Sequence, residues 1–296
     1  MPRFAIVQAP TSLGLWPSGV ERLGDALLGA GLAARLGAGL AGRVEPPPYD
    51  DRRDEATGLL NPAAIAAYSR RLADAVGEVV DAGEVPVVLG GDCSLMLGSL
   101  LALRRRGRFG LLFLDGHLDF ASPEAERAGE AASMELALAT GDGPPVVADL
   151  DGLAPLVRRE DVAALGMRDG LLPLDHPQRV THAEPLGLMR LDLAAVRREG
   201  AAGAAARALA HLGRAGGPER FWLHLDADVV DDALLPAVDG RMPDGLSWGE
   251  LVAVLRAAQA TGRVAGVEVT IFNPALDGDG AQARALVAAL AAGLAG

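Results

Sequence analysis

The sequence predicts an α/β protein, a mostly parallel sheet covered by helices on both faces. Three observations carry this. Short apolar runs recur along the chain and read as buried strands, clearest at Leu111 to Leu114 and Phe221 to Leu225. Segments with helical apolar spacing separate them. Glycine- or carboxylate-rich tips follow the strands, and open α/β sheets place ligands beyond the carboxyl ends of their strands.

Taken in order, Phe4 to Val7 is a first strand, followed by a loop, Gln8 to Gly19, and a helix, Val20 to Ala30. Arg43 to Pro62, with Pro46-Pro47-Pro48 and a cluster of charges, reads as a surface excursion. Asn61-Pro62 opens a long helix to about Ala82, with Asn61 as N-cap and proline in the first turn. Val85 to Leu89 is a strand, its Pro86 placed at the start where a missing donor is tolerated. It ends in Gly90-Gly91-Asp92-Cys93-Ser94, where Asp92 or Ser94 can cap a helix from Leu95 to about Arg105. Phe109 to Leu114 follows as a strand, then a helix over Gly129 to Thr140 and a strand over Val162 to Met167. His176 to Pro185 is loop-like, and Leu193 to Arg214 holds one or two alanine-rich helices broken at Gly200 and Gly203. Phe221 to Leu225 is a strand, Leu246 to Ala260 a helix, Val264 to Thr270 a strand and Asp279 to Leu294 a closing helix.

Composition narrows the class. The chain has 296 residues, 50% apolar and 22% charged, an ordinary globular mixture. One large domain of that length buries roughly three quarters of its unfolded surface, although length alone permits two. The formal charge of −12 argues against nucleic acid or an anionic membrane as partner. All 27 basic residues are arginine, which excludes Schiff-base chemistry and a P-loop lysine. The single Cys93 rules out an internal disulfide. No apolar run reaches the about 18 residues that a membrane helix needs, and Met1-Pro-Arg-Phe4 enters a strand pattern without a signal-peptide core. A cytoplasmic protein is the expectation.

The chemistry concentrates at two strand tips. In Asp115-Gly-His117-Leu-Asp119, potential ligands occupy every second position, so in an extended segment they share a face and converge. Left unpaired and buried, each charge would cost several kcal/mol; a divalent cation is the simplest remedy. The competing reading is a solvated loop after a strand. A second copy of the pattern, His224-Leu-Asp226-Ala-Asp228, weighs against that. His224 has the parity to stand behind the site as a partner of a ligand, or is a buried structural histidine. Together the two tips bring four carboxylates and the His117 imidazole to one locus, which suits two divalent cations.

These motifs, with Gly90-Gly91-Asp92-Cys93-Ser94, Pro236, Pro243-Asp-Gly-Leu-Ser247 and Phe272-Asn273-Pro274-Ala-Leu-Asp277, together resemble the ureohydrolase family, which includes arginase, agmatinase and formiminoglutamase. The resemblance covers most of the chain. It implies a single ureohydrolase-like domain over 1–296, an arginase-like three-layer α/β/α sandwich, and assembly as a homo-oligomer of trimeric or hexameric type. It also implies a small-molecule substrate and a divalent metal cofactor, manganese as one or two ions. Asp115 and Asp226 match the ligands shared by both metals, His117 and Asp228 ligands of one, and Asp119 and Cys93 of the other. Where the family has histidine this chain has Cys93, which resembles a divergent branch that includes N-hydroxyarginine amidinohydrolases. A thiolate is soft and manganese prefers oxygen and imidazole. That position is therefore weakened, or prefers zinc or iron, or Cys93 is simply a small buried residue. The family's proton-transfer histidine is matched by Ala132, and its guanidinium-binding glutamate by Ile271. Glu135 reads as a helix residue on a solvated face, and Glu268 as a structural acid. The activity implied is metal-dependent cleavage of a carbon–nitrogen bond in a guanidino, hydroxyguanidino or related amidine substrate, by water activated between cations, with Asp119 or Asp228 shuttling a proton. If Ile271 lines the pocket, an ordinary guanidinium lacks its charge partner. The missing groups also fit a catalytically degenerate, metal-binding or structural subunit of the same fold.

Overall fold

The apolar runs assemble into one eight-stranded sheet in the computed structural model, which describes residues 3–173, 176 and 186–295. Its strands are β1 (Phe4–Ala9), β2 (Gly39–Arg43), β3 (Val85–Gly90), β4 (Gly110–Leu114), β5 (Val162–Leu165), β6 (Met189–Leu191), β7 (Phe221–Asp226) and β8 (Val264–Thr270). Their order is β2-β1-β3-β8-β7-β4-β5-β6, and every pairing is parallel. The described helices are α1 (Leu23–Gly29), α2 (Leu32–Leu36), α3 (Pro62–Asp81), α4 (Met96–Arg104), α5 (Glu135–Ala139), α6 (Pro145–Ala148), α7 (Leu193–Glu199), α8 (Ala201–Leu212), α9 (Trp248–Ala260) and α10 (Ala281–Leu294).

The strands alternate their side chains between two cores. Phe4, Ile6, Val87, Leu89, Leu112 and Leu114 pack with α1, α2 and α7 to α10 on one face. Ala5, Val7, Val88, Leu111 and Phe113 pack with α3 to α6 on the other. This is the three-layer α/β/α arrangement. The central strands are buried along their whole length, as a parallel sheet covered on both sides requires.

Several elements differ from the sequence-based expectation, each for a local reason. β2, with two glycines and every residue exposed, has no apolar run to announce it, because it pairs only with β1 at the sheet edge. β6 at the other edge is three residues long. Asn61 stands at the start of α3, but its side chain does not cap the helix. Its Oδ1 accepts from the Asp50 N–H and its Nδ2 donates to the Leu13 carbonyl, so it staples two loops instead. The single helix expected over Gly129 to Thr140 is a 3-10 turn (Ala131–Ser133) and α5, broken at Met134 with φ of −136°. Gly200, at φ 73°, separates α7 from α8. Of the loop expected at His176 to Pro185, all but His176 lies outside the described residues.

The sheet order places the site. β3 and β4 are consecutive in the chain, yet β8 and β7 lie between them. The connections therefore diverge there, and the carboxyl ends of β3, β8, β7 and β4 leave a crevice between them.

Candidate metal centre

Each central strand delivers one part of the site. β3 ends at Gly90-Gly91, and a Cβ on Gly91 would stand 1.6 Å from the Thr11 carbonyl oxygen, so only glycine fits. The turn that follows is capped by Asp92, which accepts from the Ser94 N–H at 2.9 Å and sets Cys93 over the crevice. Cys93 is 1% exposed; its thiol donates to Asp226 Oδ2 at 2.8 Å and lies 3.1 Å from Thr270 Oγ1 at the end of β8. β4 delivers Asp115, whose Oδ1 accepts from the His117 N–H at 2.6 Å. β7 delivers Asp226, whose Oδ1 accepts from the Asp228 N–H at 2.7 Å. Asp228 in turn accepts from the Gly116 N–H at 2.9 Å and faces His117 Nδ1 at 2.9 Å.

The predicted residues meet, but in two subgroups. Ligand atoms of Asp115, His117 and Asp228 lie within 4.8 Å of one another; so do those of Cys93, Asp119 and Glu135. Cys93 and Asp226 form a third such group with His224, and Asp115 a fourth with Glu135 and His224. Residues 115, 117 and 119 do not share the one extended face that their alternate spacing predicts. The segment is not a strand, and Asp119 sits at φ 47°. That left-handed residue, a conformation aspartate tolerates, turns the third carboxylate towards Cys93 rather than towards His117.

Glu135 was expected on a solvated helix face and is instead fully buried in the cluster. Met134 interrupts the helix, and the Leu136 N–H bonds the Asp119 carbonyl at 3.2 Å, which rotates the Glu135 side chain inward. Reading Gly129 to Thr140 as one continuous helix misplaces Glu135, because the break at Met134 shifts the helical phase. Arg168, also missed, is buried under Asp228 and donates to the Asp228 and Val229 carbonyls at 2.7 and 3.2 Å. His224 lies behind the centre: Nδ1 bonds Glu268 Oε1 at 2.8 Å, Nε2 faces Asp115 Oδ2 at 3.9 Å, and the ring stacks on Phe113. Glu268 also accepts from Ser99 Oγ at 2.6 Å and is fully buried, the setting of a structural acid.

Electrostatics ask for cations. Asp115, Asp119, Glu135, Asp226 and Asp228 crowd together, with Arg168 and His117 as the nearby basic groups. Burial, then mutual repulsion, pushes Asp115, Asp119, Glu135 and Asp226 well above the ordinary carboxylate range. Burial would raise Asp228 too, but His117 and Arg168 outweigh it and hold Asp228 low. His117 gains from the same contact: burial disfavours its charge, and Asp228 more than restores it. Burial and the surrounding acids likewise keep the Cys93 thiol protonated. Asp115 Oδ2 is buried without a hydrogen-bond donor, and the side-chain partner of the buried Glu135 carboxylate is another acid, Asp119. Such a donor set of acids, one imidazole and one thiol fits divalent cations.

Above the cluster opens a pocket of about 510 Å³, within the range of small-molecule sites. Its wall includes Trp16, Glu130, Ala132, Asp239 and Ile271. Ile271 and Ala132 thus face the pocket as apolar groups. Every charged group lining it among the described residues is an acid or a histidine.

A parallel three-layer sandwich with a buried carboxylate cluster at its strand tips defines a class of metal-dependent hydrolase folds, and comparison with known proteins identifies which. The family model described as "Arginase family" matches residues 4–296. An arginase of Brevibacillus brevis is 28% identical over 292 residues, covering 96% of this chain and 95% of the relative. Human arginase-1 is 27% identical over 282 residues, covering 92% and 85%. The structure of Bacillus caldovelox arginase superposes with a TM-score of 0.89 at 25% identity, covering 100% of this chain and 99% of that one. The chain belongs to the arginase family: it is a ureohydrolase-type, metal-dependent hydrolase of guanidino carbon–nitrogen bonds.

Proposed function

We propose that the chain hydrolyses a carbon–nitrogen bond of a hydroxyguanidine or a related modified amidine, using two divalent cations held at the strand tips. The observation that carries this is the pair of subgroups at the base of one pocket. Asp115, His117 and Asp228 would hold one cation, Cys93 and Asp119 the other, with Asp115 and Asp226 shared between them. Manganese suits the oxygen and imidazole side; the Cys93 side suits zinc or iron. Bound there, such ions lower the pKa of water and polarise the substrate.

The protein's own groups do the rest. The acids Glu130 and Asp239 on the pocket wall favour a positively charged substrate. Asp239 is fixed by Ser18 Oγ at 2.7 Å, and Glu130 Oε1 by the Trp16 N–H at 3.1 Å. Ile271 offers an unmodified guanidinium no charge partner, which favours a substrate whose guanidino nitrogens are modified, as in a hydroxyguanidine. Proton transfer falls to carboxylates: Asp119, whose burial favours the protonated form, and Asp228, which stays ionised beside His117.

The test is to load the chain with manganese or zinc and assay release of urea and hydroxyurea from guanidines, hydroxyguanidines and amidines. Loss of a group that merely orients a ligand typically costs about 10- to 100-fold. Asp226→Asn and His117→Ala should therefore each lose more than about 100-fold. Full activity in either variant would rule the reading out, and preference for plain arginine would rule out the substrate class.

A further inference from the structure

We propose that Glu135 is a metal ligand on the Cys93 side, which makes that position a cysteine–aspartate–glutamate site unlike its histidine-bearing neighbour. The inference rests on the metal centre described above and adds a residue to it. Glu135 is the first residue of α5, and the backbone there is tied to the Asp119 segment by two hydrogen bonds, Leu136 N–H to Asp119 O and Ala121 N–H to Ser133 O, both 3.2 Å. The side chain is fully buried, and its carboxylate is paired with no basic group among the described residues; its side-chain partner is another acid, Asp119. What it has instead is company of its own kind: the Asp119 carboxylate lies beside it, and the Cys93 thiol and Asp119 both lie within 4.8 Å of one of its ligand atoms. No arginine is paired with it among the described residues. A buried carboxylate so placed is unfavourable unless a cation meets it.

The three side chains come from three separate elements, the turn after β3, the loop after β4 and the start of α5. A cation between them would gain a thiolate and two carboxylates. Relative to a site with imidazole, this set carries more negative charge, and its thiolate selects softer ions over manganese.

The test uses cobalt(II), whose bond to a thiolate gives a charge-transfer absorption. The intact chain should bind two cobalt ions per chain and show that band. Glu135→Gln, equal in size but uncharged, should lose the band and one equivalent, or bind that equivalent at least tenfold more weakly. Glu135→Asp, which keeps the charge with shorter reach, should lie between. Without metal, Glu135→Gln should melt at or above the temperature of the parent, since an acid crowded by other buried acids has been replaced by a neutral amide of the same size. Unchanged cobalt binding and band in Glu135→Gln would overturn the assignment, as would a fall in metal-free melting temperature or failure to fold. An intact chain that binds no cobalt would instead remove the metal centre itself, a separate result.

Discussion

Gly91 and Ile271 show how closely the site is drawn at the level of single residues. The Ile271 N–H bonds the Gly91 carbonyl at 2.9 Å, and Ile271 holds φ at 68°. For a β-branched residue that is a steric outlier, kept in place by this bond and by burial. The strain sits on the pocket wall beside Thr270 and Cys93, the kind of place where strained backbone clusters. Gly91→Ala should destabilise the fold by about 3 kcal/mol or more, since a Cβ would overlap the Thr11 carbonyl and the whole turn must move. Urea unfolding checks this; a loss under about 1 kcal/mol would mean the turn is softer than its contacts indicate. The ligand residues at these tips were legible in the sequence because each follows an apolar run directly. Glu135 and Arg168 were not. One enters through a helix break, and the other through a segment whose only sequence signal is a short strand before it.

Elements divide into those fixed by sequence pattern and those fixed by tertiary contact. The central strands, buried on both faces, wrote themselves as unbroken apolar runs, and β3, β4, β7 and β8 lay within a residue or so of expectation. The edges did not, since an exposed strand such as β2 has no apolar face to display. Helix α9 is fixed by local chemistry. Ser247 accepts from the Glu250 N–H while Glu250 accepts from the Ser247 N–H, a reciprocal capping box. Ser247→Ala should cost about 1 kcal/mol without altering metal content, because the cap lies outside the cluster. Thermal unfolding together with elemental analysis reads both quantities, and a loss of metal would place the cap nearer the site than its geometry does.

For the whole molecule, the cluster couples folding to pH and to metal. Asp115, Asp119, Glu135 and Asp226 have their folded pKa values raised, by burial first and neighbouring acids second. The folded metal-free chain therefore binds more protons than the unfolded one, and its stability falls as pH rises from about 4 through those raised values. Metal reverses the sign, because ions bind the deprotonated groups and binding tightens with pH. Chelator-stripped protein should thus melt lower at pH 8 than at pH 6, and the melting temperature should recover with added divalent metal, most at pH 8. Equal melting temperatures at the two pH values, unmoved by added metal, would contradict this coupling.

The arrangement of strand tips around cations is tested most directly by anomalous diffraction from crystals grown with manganese and with zinc. The account predicts two peaks per chain, one among Asp115, His117 and Asp228 and one beside Cys93 and Asp119, with Asp115 and Asp226 reaching both. A well-ordered cluster that shows no peak with either metal, its carboxylates sharing protons instead, would contradict it.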